Sequence, residues 1–380
     1  MKFLCLILLA TSVTGRFTDD LYQQLAEDNA NENLISSPLS VDIALGMSYM
    51  GAGGNTAREM RDVLKLSADK KEVARNYKQL LTNLEGREKA AMLHLANRIY
   101  VNDRYTINPE FNQVVKDSFK AEAKPISISV PEKAAEIVNK WVNETTRSRI
   151  KTLVEADDMS PPLVMVLLNA IYFKGQWQRA FNSTYTKRAD FRTADKQTVP
   201  VQMMEKHDEF KAGYVHSLGA KVIELPYRNS TLSMVIFLPE KVDGLPELER
   251  KIAGFSPALR EQEVILKLPK FKIEFSSELK GTLSKMGMRD AFSKEADFGG
   301  LVKSSNPRIS KVIHKAFLEV SEEGAEAAAA TAVLFEMVAV SAQIQPPPHI
   351  LEINADHPFA YVIRDKDTIY FQGHFVNPEE

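Results

Sequence analysis

Apolar positions recur along this chain with two periods, and the switches between them mark out its elements. Phe17, Leu21, Leu25 and Ala26 share one face at helical spacing, which predicts a helix over Phe17–Ala30. Asn33–Ser36 reads as a short strand. Ser37 suits an N-cap and Pro38 a first helical turn, so a helix is predicted from there to about Met50. Gly51–Gly54 interrupts it, and Asn55–Leu66 and Lys70–Glu85 form the next two helices. Met92–Val101 reads as a strand and Pro109–Phe119 as a helix. Lys133–Val142 is a further helix, with Ala134, Ile137, Val138 and Trp141 on one face. Leu163–Phe173 is a near-continuous apolar run, the pattern of a strand buried on both faces.

In the second half, Ala220–Pro226 and Leu232–Pro239 read as a hairpin. Leu245–Ala253 is helical, with Pro246 tolerated in its first turn. Val264–Phe275 reads as one long strand around Pro269, Glu278–Met286 as a helix and Ile309–Val320 as a strand. Ile350–Ile353, Pro358–Ile363 and Thr368–Val376 close the chain as strands. No internal repeat and no low-complexity linker divides these elements.

Between the last two groups lies Glu319–Gln345, whose composition points two ways. Ala325–Ala332 favours helix, because alanine loses least on entering one. The Val, Leu and Phe that follow favour strand, and no proline occurs between Pro307 and Pro346. With period 2, Ala325, Ala327, Ala329, Thr331, Val333 and Phe335 form one face. Glu326, Ala328, Ala330, Ala332, Leu334 and Glu336 form the other. The first face can therefore be buried without burying a charge. An exposed alanine-rich helix or linker is the other reading that composition leaves open.

The 380 residues are 44% hydrophobic and 26% charged with a net charge of −2, so nothing points to a nucleic-acid partner. Met1–Lys2 and the hydrophobic Phe3–Val13, too short to span a bilayer, read as a signal peptide over residues 1–15, cleaved near Gly15–Arg16. Residues 16–380 are then expected to be a soluble, secreted, extracellular domain with no membrane span. The one cysteine, Cys5, falls in the leader, which leaves no disulfide and no thiolate chemistry. Asn143, Asn182 and Asn229 head glycosylation sequons. Lys70, Lys71, Arg75 and Lys78 fall within about 140° of helical arc. They read as a solvated face, or less readily as a polyanion site. No catalytic motif is present, and the histidines lack ligand spacing, so neither a metal nor a cofactor is expected. His314, alone in an apolar strand, reads as a core residue.

Several segments resemble one family. EEGAEAAAATAV is similar to the hinge of a serpin reactive-centre loop. NLISSPLS followed by GAGGNT, NKWVNETTRSRIKTLV, LLNAIYFKGQW, ADHPFAYVI and FQGHFVNP resemble other serpin segments, so the likeness runs from Asn33 to Pro378. It implies a single α+β domain: a large central mixed sheet, two smaller sheets, about eight or nine helices and an exposed loop over about residues 322–346. It also implies a monomeric suicide inhibitor that forms a covalent complex with a serine protease. The implied hinge is Glu322, Glu323, Gly324, Ala325, Glu326, Ala327, Ala328, Ala329, Ala330, Thr331 and Ala332. Ser37, Ser40, Asn169, Trp177 and His314 would form a latch where the sheet opens. Family spacing puts the reactive bond at Val338–Ala339, with Met337–Val338 as the alternative. No Lys or Arg occurs between Lys315 and Arg364, which suits an elastase-like or chymotrypsin-like target and not a trypsin-like one. A non-inhibitory carrier or storage serpin is the alternative function.

Overall fold

The computed structural model describes residues 11–85, 92–254, 258–303, 307–324, 350–366 and 368–379. Among these, eight α-helices are present: α1 Thr11–Asp28, α2 Pro38–Tyr49, α3 Gly54–Leu64, α4 Lys70–Glu85, α5 Pro109–Phe119, α6 Pro131–Thr145, α7 Leu245–Ile252 and α8 Lys280–Lys285. The first eight strands are β1 Leu34–Ser36, β2 Met92–Asn102, β3 Thr106–Ile107, β4 Ala123–Ile126, β5 Met165–Lys174, β6 Lys187–Arg192, β7 Thr198–Val215 and β8 Ala220–Pro226. The other eight are β9 Ser233–Pro239, β10 Arg260–Pro269, β11 Phe271–Glu278, β12 Val302–Lys303, β13 Ile309–Val320, β14 Leu351–Asn354, β15 Phe359–Arg364 and β16 Ile369–Phe375.

They build the expected architecture, a large mixed sheet with two smaller ones. The nine-stranded sheet runs β1-β16-β15-β9-β8-β7-β10-β14, with β6 beside β7. A five-stranded sheet runs β11-β13-β5-β2-β4, and β12 pairs with β3. In the five-stranded sheet β13 and β5 are parallel neighbours, from Ile309 opposite Met165 to Phe317 opposite Tyr172.

The apolar run of β5 has the two-sided burial its sequence requires. Leu167, Ile171 and Phe173 join the large core, and Val166, Leu168 and Ala170 join a second core with Val138 and Val142 of α6. Each large aliphatic side chain buried in this way contributes about 1.5–3 kcal/mol. Helix α2 is buried at every position from Pro38 to Tyr49. It packs against β2, β5 and β16, so a wholly buried helix lies directly behind β5.

Two boundaries differ from the sequence expectation. The single strand expected over Val264–Phe275 is two, β10 and β11, in different sheets. Pro269 has no N–H for a ladder, and the Lys270 N–H makes a last bond to β7, to the Gln202 carbonyl at 2.8 Å, before the chain enters β11. Helix α1 begins at Thr11, ahead of Phe17, so it runs through the expected cleavage position near Gly15–Arg16. Among the described residues, no helix is long and apolar enough to cross a membrane.

Candidate functional site

Three adjacent strands each carry one polar residue in an otherwise apolar row facing α2. These are Asn97 on β2, Asn169 on β5 and His314 on β13, and both Asn97 and His314 lie directly opposite Asn169. Asn169 is 1% exposed and His314 0%. The start of α2 completes the row. The Ser37 N–H donates to His314 Nε2 at 3.2 Å, and the Ser37 hydroxyl caps the helix by accepting from the Ser40 N–H at 3.3 Å.

This geometry fixes the histidine. Nε2 accepts a backbone N–H, so the proton of the neutral ring sits on Nδ1, which donates to Asn169 Oδ1. Asn169 Nδ2 then spends its two protons on Ser40 Oγ and Asn97 Oδ1. Burial lowers the His314 pKa to about 3, so the ring stays neutral at ordinary pH. The result is a hydrogen-bonded row across the seam between β5 and β13, tied to the N-terminus of α2. Four of the five expected latch residues, Ser37, Ser40, Asn169 and His314, are brought together here. Asn97 was not anticipated. Its signal is a single polar side chain between Leu95 and Ile99 in the inward row of β2.

Trp177, the fifth, lies beyond the end of β5 and holds the hinge. It is 4% exposed and stacks on Tyr227, ring centroids 4.7 Å apart. Its indole N–H donates to the Ser321 carbonyl at 2.9 Å, and its backbone N–H to the Glu323 carbonyl at 3.0 Å. The Phe181 N–H reaches the Glu322 carbonyl at 2.7 Å. Ser321–Gly324 is a tight turn closed by two reciprocal backbone hydrogen bonds of 3.0 and 3.2 Å. It reverses the chain after β13 and sets Gly324 antiparallel to Gln176.

Only glycine fits at position 324. Its φ is +106°, and a Cβ would lie 2.1 Å from the Gly175 carbonyl oxygen. Glu322 pins the turn from the side, meeting Lys270 Nζ at 2.8 Å and accepting from the Thr186 hydroxyl at 2.9 Å. Burial alone would raise its carboxyl pKa. The bonds from Lys270, the backbone and Thr186 outweigh that and hold it below the ordinary value. Neither Lys270 nor Thr186 was expected here, because each lies far from the hinge in sequence.

The remaining expected residues are placed separately. Ala325–Ala332 and Met337, Val338 and Ala339 lie outside the described residues. Asn182 and Asn229 are exposed, while Asn143 on α6 is partly buried with its Oδ1 unpaired. On α4, Lys71, Arg75 and Lys78 are exposed. Lys70 is not part of that face: its Nζ donates to the carbonyls of Met50, at 3.1 Å, and Ala52, closing the end of α2. Among the described residues, no group of three acidic, His or Cys side chains could hold a metal.

A family model described as serpin (serine protease inhibitor) matches residues 12–378. Serine protease inhibitor 42Dd of Drosophila melanogaster is 48% identical over 380 residues, 100% of both chains. The leukocyte elastase inhibitor of Xenopus laevis is 35% identical, across 97% of this chain and 99% of its own. Human serpin B3 is 35% identical, across 96% and 98%. The crystal structure of Serpin48 from Tenebrio molitor superposes with a TM-score of 0.88 at 31% identity, covering 98% of this chain and 99% of that one. These relatives overturn one expectation. Serpins B3 and B4 and the leukocyte elastase inhibitors are of the intracellular type, so the secreted, extracellular location read from the N-terminus is withdrawn.

Proposed function

This chain belongs to the serpin family, and we propose that it traps a serine protease by inserting its cleaved reactive-centre loop between β5 and β13. Its role follows from the family: it is a serine protease inhibitor and not an enzyme. The observation that carries the insertion reading is the Ser321–Gly324 turn. It already points the chain back from the end of β13 toward the end of β5, at the edge of the latched seam.

In this reading the protease serine attacks the carbonyl of Val338, and the bond to Ala339 breaks. The new amine of Ala339 leaves with the C-terminal fragment, and an ester joins Val338 to the enzyme. The freed strand then enters the seam before water can hydrolyse the ester. The small side chains of Ala325–Ala332 offer little steric resistance to that passage. Val338, with Met337 before it, suits an elastase-like or chymotrypsin-like primary pocket.

The test is incubation with an elastase-like, a chymotrypsin-like and a trypsin-like protease, read by denaturing gel and mass spectrometry. A denaturant-resistant complex is expected with one of the first two, with a released fragment beginning at Ala339. A fragment beginning at Val338 moves the bond by one residue. Clean cleavage without a complex in every case would replace this reading with that of a non-inhibitory carrier or storage serpin.

A further inference from the structure

The row that latches the seam rests on α2, and α2 carries a group that the trap does not use. Asp42 lies two residues beyond Ser40 and is 3% exposed. Its Oδ2 accepts a hydrogen bond from the Tyr77 hydroxyl of α4 at 3.0 Å, and its Oδ1 has no partner among the described residues. That hydroxyl also reaches the Asp42 carbonyl at 3.3 Å. Gly46, one helical turn further on, is the opening through which the phenol enters. A Cβ there would lie 2.5 Å from both Cζ and Oη of Tyr77. Glycine is unfavourable in a helix interior, so its presence here goes with a specific contact between Tyr77 and Asp42.

A buried carboxylate with one bare oxygen is costly when ionised. Burial pushes the Asp42 pKa up to about 7, and the single bond from Tyr77 only partly opposes it. The other titratable groups beside α2 have partners of their own. His314 of β13 bonds to Ser37 and Asn169. His374 of β16 bonds to Glu249 at 2.7 Å and to the Glu32 carbonyl at 2.8 Å. Lys70 and Tyr49 reach carbonyls at or beyond the C-terminal end of the helix, Tyr49 that of Ser67 at 3.1 Å. None of these bonds to Asp42.

We infer that Asp42 is a proton-controlled positioning residue, which holds α2 and the latch firmly when protonated and loosens them when ionised. The sign follows from linkage. An aspartate in the unfolded chain ionises near about 3.9, well below the folded value. The Asp42 contribution to stability is therefore complete below the unfolded value. It declines as pH rises and is fully lost once pH has passed about 7. Opening of the seam is expected to accelerate over the same window, by at most about tenfold per pH unit for one proton. His314 slopes the opposite way, so the Asp42 effect is isolated by comparison with its isostere.

The experiment uses the intact, uncleaved inhibitor and no protease, so its outcome is independent of the trapping reading. Amide hydrogen exchange at the β5–β13 seam and the thermal midpoint are measured from pH 4.5 to 8.5 for wild type, Asp42→Asn and Tyr77→Phe. Wild type should lose seam protection and midpoint, relative to Asp42→Asn, up to about pH 7 and then run parallel to it. Tyr77→Phe, which removes the one bond favouring the ionised form, should move that inflection to higher pH. Parallel wild-type and Asp42→Asn profiles throughout would overturn the inference, as would a midpoint change that seam exchange does not follow. Should Asp42→Asn fail to fold, carboxyl carbon NMR of wild type decides. Titration of Asp42 near 7 supports the inference, and titration near 4 overturns it.

Discussion

Asn169→Ala is the sharpest perturbation of the latch. The side chain makes three hydrogen bonds, one from His314 and two to Ser40 and Asn97. Each contributes about 1 kcal/mol net. Truncation also strands the His314 Nδ1–H at a position with 0% exposure, and an unsatisfied buried donor costs a further 1–3 kcal/mol or so. The expected loss is therefore about 4–6 kcal/mol, a large part of the roughly 5–15 kcal/mol that keeps a domain folded. Denaturant unfolding followed by tryptophan fluorescence measures it, since one of the two tryptophans, Trp177, sits at the hinge. A cycle with Ser40→Ala should show coupling of about 1 kcal/mol. A loss below about 1 kcal/mol, or strict additivity with Ser40→Ala, would refute the latch as drawn. Under the proposed mechanism the variant should also pass unprompted into a heat-resistant form that no longer inhibits.

Further outcomes are specific to other residues. Gly324→Ala should destabilise the hinge turn by about 1–3 kcal/mol, because φ is +106° and a Cβ meets the Gly175 carbonyl; a thermal midpoint equal to wild type contradicts this. His314 must stay neutral to be buried, so its stabilisation is present above about 6.5 and is lost as pH falls toward about 3. His314→Gln should flatten that acid limb in a pH series of unfolding midpoints. Glu322→Gln should cost about 0.5–1 kcal/mol, because Lys270 is partly exposed. Its carboxyl is held low, so the contribution is present above the ordinary glutamate range and lost as pH falls below it; equal losses at pH 3 and pH 7 would show the pair is not responsible. Lys70→Met should lower stability without weakening retention on a heparin column, because its ammonium already serves two carbonyls at the end of α2.

Local pattern carried most of the fold. Ser37–Pro38 marked the start of α2, and the unbroken apolar run at Leu163–Phe173 marked a strand buried on both sides. Ile309–Val320 was read to its true ends because its inward row, Val312, His314, Ala316, Leu318 and Val320, stays buried up to the Ser321–Gly324 turn. The boundary at Pro269 was less legible, since apolar alternation resumes directly beyond it and only its phase slips by one residue, from Val264, Leu266 and Leu268 to Phe271, Ile273 and Phe275, where the backbone changes sheet. In the site, Asn169 and His314 stand out as polar interruptions of buried rows. Lys270 and Thr186 do not, because what recruits them is the position of Glu322 in space, and nothing in their own surroundings along the chain announces it. Lys70 was misplaced for a related reason. Helical spacing puts it on the basic face of α4, but the carbonyls ending α2 capture its ammonium.

The direction of the seam has a consequence of its own. β5 and β13 point the same way, and slanted parallel ladders are slightly weaker per residue than antiparallel ones. The turn at Ser321–Gly324 sends the chain back against both of them. A strand arriving by that route replaces one parallel ladder with two antiparallel ones. With β11 already antiparallel to β13 and β2 antiparallel to β5, the only parallel pairing left among the described residues of the sheet would be that of β4 with β2 at its edge. Under the proposed insertion the resting sheet is a topological compromise, and the Ser321–Gly324 turn already sets the chain in the direction that would resolve it.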